Sequence, residues 1–279
     1  MGFSVVGGSD QCNRLIPCGT DGSSTYYVGQ IVAITQASIA VATGGAVVPL
    51  AVPAGVADLT NKQTVFGIVG GMNDRSPTVD STYGQKIVGV TTIASLAART
   101  SVFNGGMYSI ADSQPLVFVT PLHGDTLIEG PLFNATNGVV PTLLTATVAS
   151  SDGCITAPTT NACDFTPAAN LATIYCRTGA NAGIYRKTSD TSTTAPTTTI
   201  AFPKAIAVGD TFIRVPLAQG ISYGYIAGPG MFFDCSKPPA TNYFTLIVEK
   251  LALEVSGQER AQFRFTPIHF SMNDSRAAN

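Results

Sequence analysis

Short runs of apolar and β-branched residues recur along the chain, and turn-forming residues separate most of them. In the run Arg260–Phe265, with the sequence RAQFRF, polar and apolar side chains alternate at period two, as a half-buried strand requires. Gly-Gly at 44–45 and Asn-Gly at 104–105 are typical turn signals between other runs. The pattern predicts further strands at 26–34, 38–42, 46–52, 64–70, 85–93, 106–110, 115–120, 172–177, 182–188, 197–203, 210–217, 231–235 and 242–255.

This spacing of strands, with little helical periodicity between them, is typical of antiparallel sandwiches and barrels. We therefore predict an all-β protein with antiparallel, sandwich-like or barrel-like lobes and extended terminal arms. Only IASLAART at 93–100 suits a short helix, and LIVEKLALEV at 246–255 fits a helix or a strand by periodicity alone.

The expected domain organisation follows from a change in composition. The stretch 133–172 is rich in Asn, Thr, Ala, Pro and Ser, and we interpret it as a boundary or a long surface excursion. The predicted units are an N-terminal arm at 1–24, a first β lobe at 25–146, a second β lobe at 147–270 and a C-terminal tail at 271–279.

The low charge of the chain changes how its surface is interpreted. Of its 279 residues 45% are hydrophobic and 11% are charged, whereas roughly 25% are charged in an ordinary soluble domain. The exterior is therefore built from Thr, Ser, Asn, Gln and Gly, or much of it is covered by other protein. The Thr-rich segment TSTTAPTTTIAFP at 191–203 predicts a loop and an edge strand without the Lys and Glu that usually prevent edge pairing.

Two classes of partner are not expected. The net charge of -2 provides no basic footprint for nucleic acid. The N-terminus lacks the basic start and the apolar segment of an export signal. The apolar stretch 31–57 is interrupted by Gln36, a Gly pair, Pro49 and Pro53, so we expect strands and turns there and no membrane span.

One motif raises an enzymatic alternative. GISYG at Gly220–Gly224 matches G-x-S-x-G with Ser222 at the nucleophile position, and Asp234 and His269 follow in the order of α/β-hydrolases. The motif functions at a strand-to-helix turn, but the following YIAGPG cannot begin a helix. A β-turn flanked by glycines is the interpretation that we prefer.

Metal and cofactor sites are not expected. The two histidines, His123 and His269, have no second His or Cys at ligand spacing, and no nucleotide-binding or calcium-binding fingerprint occurs. Six cysteines leave two alternatives open: free thiols, or disulfides closing short loops. The pairs that would close such loops are Cys12 with Cys18 and Cys154 with Cys163.

Several segments resemble the decoration, or cement, proteins of tailed bacteriophage capsids. They are the Gly-rich N-terminal arm, YYVGQIVAI, TVFGIVGG, GGMYSIADSQPLVFVTP, VGDTFIRVPL and QFRFTPIHF. The same segments are similar to other phage structural proteins, including minor capsid and tail proteins. The resemblance implies an all-β homo-oligomer, often a trimer, that clamps neighbouring major capsid subunits on the virion surface. It implies no catalytic residues.

We therefore expect a non-enzymatic virion protein that is made in the host cytoplasm and binds the major capsid protein and its own copies. The N-terminal arm is expected to reach onto a neighbour through Gly2, Phe3, Val5, Val6, Leu15 and Ile16. The alternatives are a tail or receptor-binding adhesin, a serine hydrolase that uses Ser222, and a bacterial surface-layer protein, which would need an export signal.

Overall fold

The protein is nearly all β. The structure, a computed structural model, describes residues 2–8, 15–20, 25–34, 46–49, 64–72, 78–80, 84–88, 116–133, 141–151, 159–167, 171–227, 230–238 and 244–267. The strands of this part are β1 (Ser4–Gly7), β2 (Ile16–Thr20), β3 (Thr25–Tyr27), β4 (Ile31–Ile34), β5 (Ala46–Pro49), β6 (Thr64–Met72), β7 (Thr78–Asp80), β8 (Gly84–Val88), β9 (Leu116–Pro121), β10 (Leu127–Phe133), β11 (Leu143–Thr145), β12 (Thr173–Cys176), β13 (Tyr185–Lys187), β14 (Thr211–Val215), β15 (Gly220–Gly224), β16 (Ile226–Ala227), β17 (Phe232–Asp234), β18 (Phe244–Ala252) and β19 (Arg260–Phe265). The described residues contain no α-helix, and almost all of their strand pairs are antiparallel. The prediction of an antiparallel all-β fold is confirmed.

The main sheet has seven strands. Its order is β15-β18-β19-β10-β17-β16, and β1 pairs with β10. Along β19 the side chains of Ala261, Phe263 and Phe265 are buried, whereas Gln262 and Arg264 face outward. The alternation predicted for RAQFRF is therefore confirmed.

The first seven residues of the ambiguous segment LIVEKLALEV, 246–252, belong to strand β18, and the last three follow it. Val248 pairs with Phe263 and Lys250 pairs with Gln262, so one extra residue lies in a β-bulge between these positions. The bulge returns Leu251 to the buried face. Because an extra residue interrupts period two, the pattern alone could not distinguish a strand from a helix.

The second sheet has four strands in the order β11-β14-β12-β13, and its central strands β12 and β14 are buried on both faces. Along β14, Ile213 and Val215 join the core shared with the main sheet, whereas Phe212 lies in a separate core on the opposite face. In β12, Tyr175 likewise joins the core shared with the main sheet, and Ile174 lies in the core on the opposite face. The two sheets therefore pack face to face as a β-sandwich.

The Thr-rich segment helps to cover the far face of the second sheet. The backbone N–H groups of Thr159 and Cys163 donate to the carbonyls of Thr194 and Thr193, both at 2.8 Å. Within TTTIAFP only Thr198 forms a β-bridge, with Thr188, so the strand predicted at 197–203 is wrong. The segment is a fixed loop because its backbone groups bond to neighbouring loops.

Five strands form a ring of pairings beside the sandwich: β2, β5, β4, β6 and β9. Two residue pairs join β2 to β5, in parallel, and the other contacts of the ring are antiparallel. Val32 and Val119 belong to the small core of this ring, and Ile31 joins the main core instead. A three-stranded sheet, β3-β8-β7, completes the described strands.

Residues 2–8 and 15–20 are part of the fold, so the expectation of an extended arm at 1–24 is wrong for these residues. Strand β1 pairs with β10, and β2 pairs with β9. The ring of Phe3 is 3% exposed and makes edge contacts with Phe233 and Phe263 at centroid distances of 5.4 and 5.9 Å. A Cβ atom on Gly130 would lie 2.0 Å from the Phe3 ring, so a glycine is required there.

The proposed arm residues consequently divide between core and surface. Phe3 lies in the main core, and Val5 packs against it. Gly2 lies against Gly29, where a Cβ would be 3.0 Å from the Gly29 backbone. Val6 and Leu15 are exposed, at 47% and 51%, and Ile16 lies in β2. Because the Phe3 ring is buried in the chain's own core, it is not available for contact with a neighbouring subunit.

The predicted boundary at Ala146 does not separate the sheets. Strand β10, from the first predicted lobe, pairs with β19 of the second, and β11 pairs with β14. The β strands predicted at 38–42 and 106–110, the short helix at 93–100 and the tail at 271–279 lie outside the described residues.

Candidate assembly surface

Strand β15 forms one edge of the main sheet, and its outward residues create an apolar surface. Ile221 lies directly opposite Ile247 of β18, and Tyr223 lies opposite Thr245. Ile221 is 69% exposed and Ile247 is 39% exposed. We call Ile221, Tyr223, Thr245 and Ile247 the assembly surface. Residues directly opposite on one sheet face touch, so the two isoleucines form one continuous apolar area.

A charged pair borders the assembly surface. Arg264 of β19 is paired in register with Ile247, and its guanidinium lies 2.8 Å from a carboxylate oxygen of Glu249. Both side chains are more than one-third exposed. The arrangement of an apolar centre with a polar rim is the usual anatomy of a protein–protein contact.

The edge of β15 has no charged protection. In the part of the chain that the structure describes, β15 pairs with β18 alone, and its sequence GISYG contains no Lys, Glu or Pro. Edge strands of monomeric proteins normally carry such residues to prevent pairing with another chain.

The last residue of β15, Gly224, is constrained by packing, since a Cβ there would lie 2.5 Å from Leu246 Cδ1.

A smaller apolar site lies at the end of the second sheet. Ser150 and Ile206 form a β-bridge, and the carbonyl of Asp210 accepts a hydrogen bond from the N–H of Ala146 at 2.9 Å. Between these two contacts lie Val148 and Val208, which are both more than half exposed. The low charge of the chain therefore coincides with apolar residues at more than one surface position.

Ser222 does not have the setting of a hydrolase nucleophile. It lies in the middle of strand β15 and not in a turn, so the expected β-turn at GISYG is wrong. The side chain is fully buried, and its Oγ accepts a hydrogen bond from the N–H of Ala218 at 3.1 Å. Asp234 accepts hydrogen bonds from the N–H and the hydroxyl of Ser236, and His269 lies outside the described residues.

The structure bears on one of the two cysteine pairs. Cys163 is a buried thiol whose Sγ donates to the carbonyl of Phe165 at 2.9 Å, which favours the free-thiol alternative over a bridge from Cys154 to Cys163. Burial raises the pKa of Cys18 to about 11. Cys12 and Cys154 lie outside the described residues, and the pairing of Cys12 with Cys18 stays a prediction.

Cys176 provides a test of this burial. Burial, followed by the charge of Asp210, raises its pKa from 9.0 to about 11. The folded state therefore holds the thiol proton more tightly than the unfolded state, and stability is retained below pH 9.0 and lost as the pH rises towards 11. We expect urea denaturation to show this decline, and Cys176→Ala to reduce it. An identical pH dependence in the variant would contradict the assigned burial.

Of the two histidines, only His123 lies among the described residues. Its backbone N–H donates to the Thr126 hydroxyl at 2.9 Å, as in an ordinary turn. Among the described residues, no three His, Cys, Asp or Glu side chains form a group that could hold a metal ion. The same residues include no helix of the length and apolar character needed to cross a bilayer.

Comparison with known proteins found no matching family model, no matching curated protein and no matching solved structure.

The sequence pattern did not lead to the assembly surface, because GISYG was interpreted as a possible nucleophile motif around Ser222. The signal that could have found it is the alternation of Ile221 and Tyr223 with the buried Ser222 between them.

Proposed function

We propose that the chain is a non-enzymatic structural protein that decorates and stabilises a tailed-phage capsid, by binding the major capsid protein and neighbouring copies of itself. The observation that carries the proposal is the exposed Ile221–Ile247 pair beside the uncharged edge of β15. The assignment to phage capsids is supported by the resemblance of the segments quoted above, and the assembly surface supports the binding role.

The two isoleucines provide the apolar area that a partner can bury. Complete burial of one exposed isoleucine side chain contributes about 1.5–3 kcal/mol. Ile221 has most of its side chain in solvent, and the neighbouring edge of β15 can add backbone hydrogen bonds to a partner strand. A protein that binds the assembled shell but not its separated subunits stabilises the shell by mass action.

We assign capsid binding to the assembly surface and no longer to the N-terminal arm expected from the sequence. The N-terminal segment packs in its own chain, so removal of residues 1–24 would remove β1, β2 and the buried Phe3 ring. Such a deletion cannot distinguish a loss of attachment from a loss of folding. The test belongs on the outer face of the main sheet.

We expect the double variant Ile221→Lys/Ile247→Lys to lose self-association and shell binding by at least about ten-fold, since two buried charges replace two buried apolar side chains. The assays are light scattering after size exclusion and co-sedimentation with shells of the major capsid protein. The matched control is Val255→Lys, an exposed valine in the turn after β18.

Two outcomes would contradict the proposal. One is a double variant that folds and binds as tightly as the unaltered protein. The other is particle imaging that places the chain at the tail tip, which would favour the adhesin alternative.

A further inference from the structure

A cleft of about 330 Å³ lies where edge strand β13 of the second sheet meets the end of β18 in the main sheet. Its lining includes Tyr185 and Lys187 of β13 and Lys250 and Leu251 of β18. Tyr185 and Lys187 share one face of β13, because side chains two apart on a strand point the same way. The volume lies at the lower end of the range for specific ligand sites.

The cleft is cationic, although the whole chain has a net charge of -2. Neither Lys187 nor Lys250 forms an ion pair with any residue that the structure describes. Of the two lining carboxylates, Glu249 is neutralised by Arg264, and Glu254 accepts a hydrogen bond from the Tyr185 hydroxyl at 2.7 Å. The charges of Lys187 and Lys250 are therefore opposed in the cleft only by the carboxylate of Glu254, which already accepts the hydrogen bond from Tyr185.

The remaining polar groups of the cleft are largely occupied. The Tyr185 hydroxyl also accepts the N–H of Leu253 at 3.1 Å, and Gln219 Nε2 donates to the carbonyl of Glu249 at 3.0 Å. The guanidinium of Arg186 binds the carbonyls of Ala201 and Tyr185. Few groups are left to satisfy the many hydroxyls of a sugar, whereas two ammonium groups beside an aromatic ring suit carboxylates on short apolar stems.

We propose that this cleft binds an acidic segment of a partner protein, with Lys187 and Lys250 each receiving an Asp or Glu side chain and Tyr185 providing the apolar wall. The inference rests on the proposed function in one respect, because it gives the chemistry of a second contact on a shell subunit. The cleft does not include the assembly surface, so the two contacts can be tested separately.

The test is fluorescence anisotropy of a labelled, end-capped tetraglutamate peptide with the full-length protein at low salt. We expect saturable binding, a loss of affinity of at least about ten-fold in Lys187→Gln/Lys250→Gln, and weaker binding as salt rises. The control variant is Lys204→Gln, which removes an exposed lysine that does not line the cleft. It should bind like the unaltered protein.

Three results would overturn the inference. They are no binding of tetraglutamate, equal binding of a tetraglutamine peptide, and tighter binding of glucuronate than of the peptide, which would assign the cleft to acidic sugars. The Ile221→Lys/Ile247→Lys variant should keep its peptide affinity, so failure of the cleft and failure of the assembly surface can be distinguished.

Discussion

Replacement of Phe3 by alanine is expected to lower the free energy of unfolding by about 3–5 kcal/mol, the usual loss for a buried phenylalanine. The ring packs edge-on against Phe233 and Phe263 and lies directly over Gly130. The N–H of Phe3 also donates to the carbonyl of Gly29 at 2.8 Å, which fixes the segment beside the ring of strands. The substitution therefore leaves a cavity between the main sheet and the N-terminal strand.

The matched control for this prediction is Val6→Ala. Val6 lies three residues further along the same segment and is 47% exposed, so we expect a change within about 0.5 kcal/mol. Chemical denaturation of both variants provides the comparison. If Phe3→Ala had the same stability as the unaltered protein, the Phe3 ring would not be packed in the core. That result would support the N-terminal arm predicted from the sequence.

Loss of Asp190 is expected to have the second largest effect, about 3 kcal/mol, because it leaves the guanidinium of Arg214 without its carboxylate partner. The side chain of Arg214 is fully buried, and its Nη2 lies 2.7 Å from Asp190 Oδ1. The same guanidinium donates to the carbonyl of Ser192, so it holds the start of the Thr-rich loop. The variant is Asp190→Ala, and thermal and urea unfolding are the measurements.

Two comparison variants make this second prediction specific. Arg214→Met removes both the charge and the need for a partner, and we expect it to destabilise less than Asp190→Ala. Glu129→Ala breaks the pair with Arg260, which is 41% exposed, and should cost about 0–1 kcal/mol. Equal effects of Asp190→Ala and Glu129→Ala would show that Arg214 is not held in a buried ion pair.

The sequence predicted the strands whose pattern is local. RAQFRF shows its alternation within six residues, and TFIRV is a short run rich in apolar and β-branched residues; both are strands of the sandwich. Strand β10 was missed because LIEGPLF contains Gly130 and Pro131, which normally indicate a turn. Its glycine is required by Phe3, more than 120 residues earlier in the chain, and no local pattern can show such a contact.

The candidate site was predictable only in general terms. The low charge left two alternatives open, a surface of uncharged polar residues or a surface covered by other protein, and it could not show which strand forms an edge. Ile221 and Ile247 lie opposite each other through pairing of β15 with β18, and that register depends on tertiary structure. Likewise, Lys187 and Lys250 come from different sheets, so their shared cleft follows from packing of the sandwich and not from spacing along the chain.

The decisive measurement is co-sedimentation of the purified protein with shells of the major capsid protein. We expect the protein to pellet with the shells, to saturate at a fixed ratio to the major subunit, and to bind at least about ten-fold more weakly when Ile221 and Ile247 are both lysine. A protein that stays in the supernatant as a monomer at every shell concentration would contradict the proposed capsid-binding function.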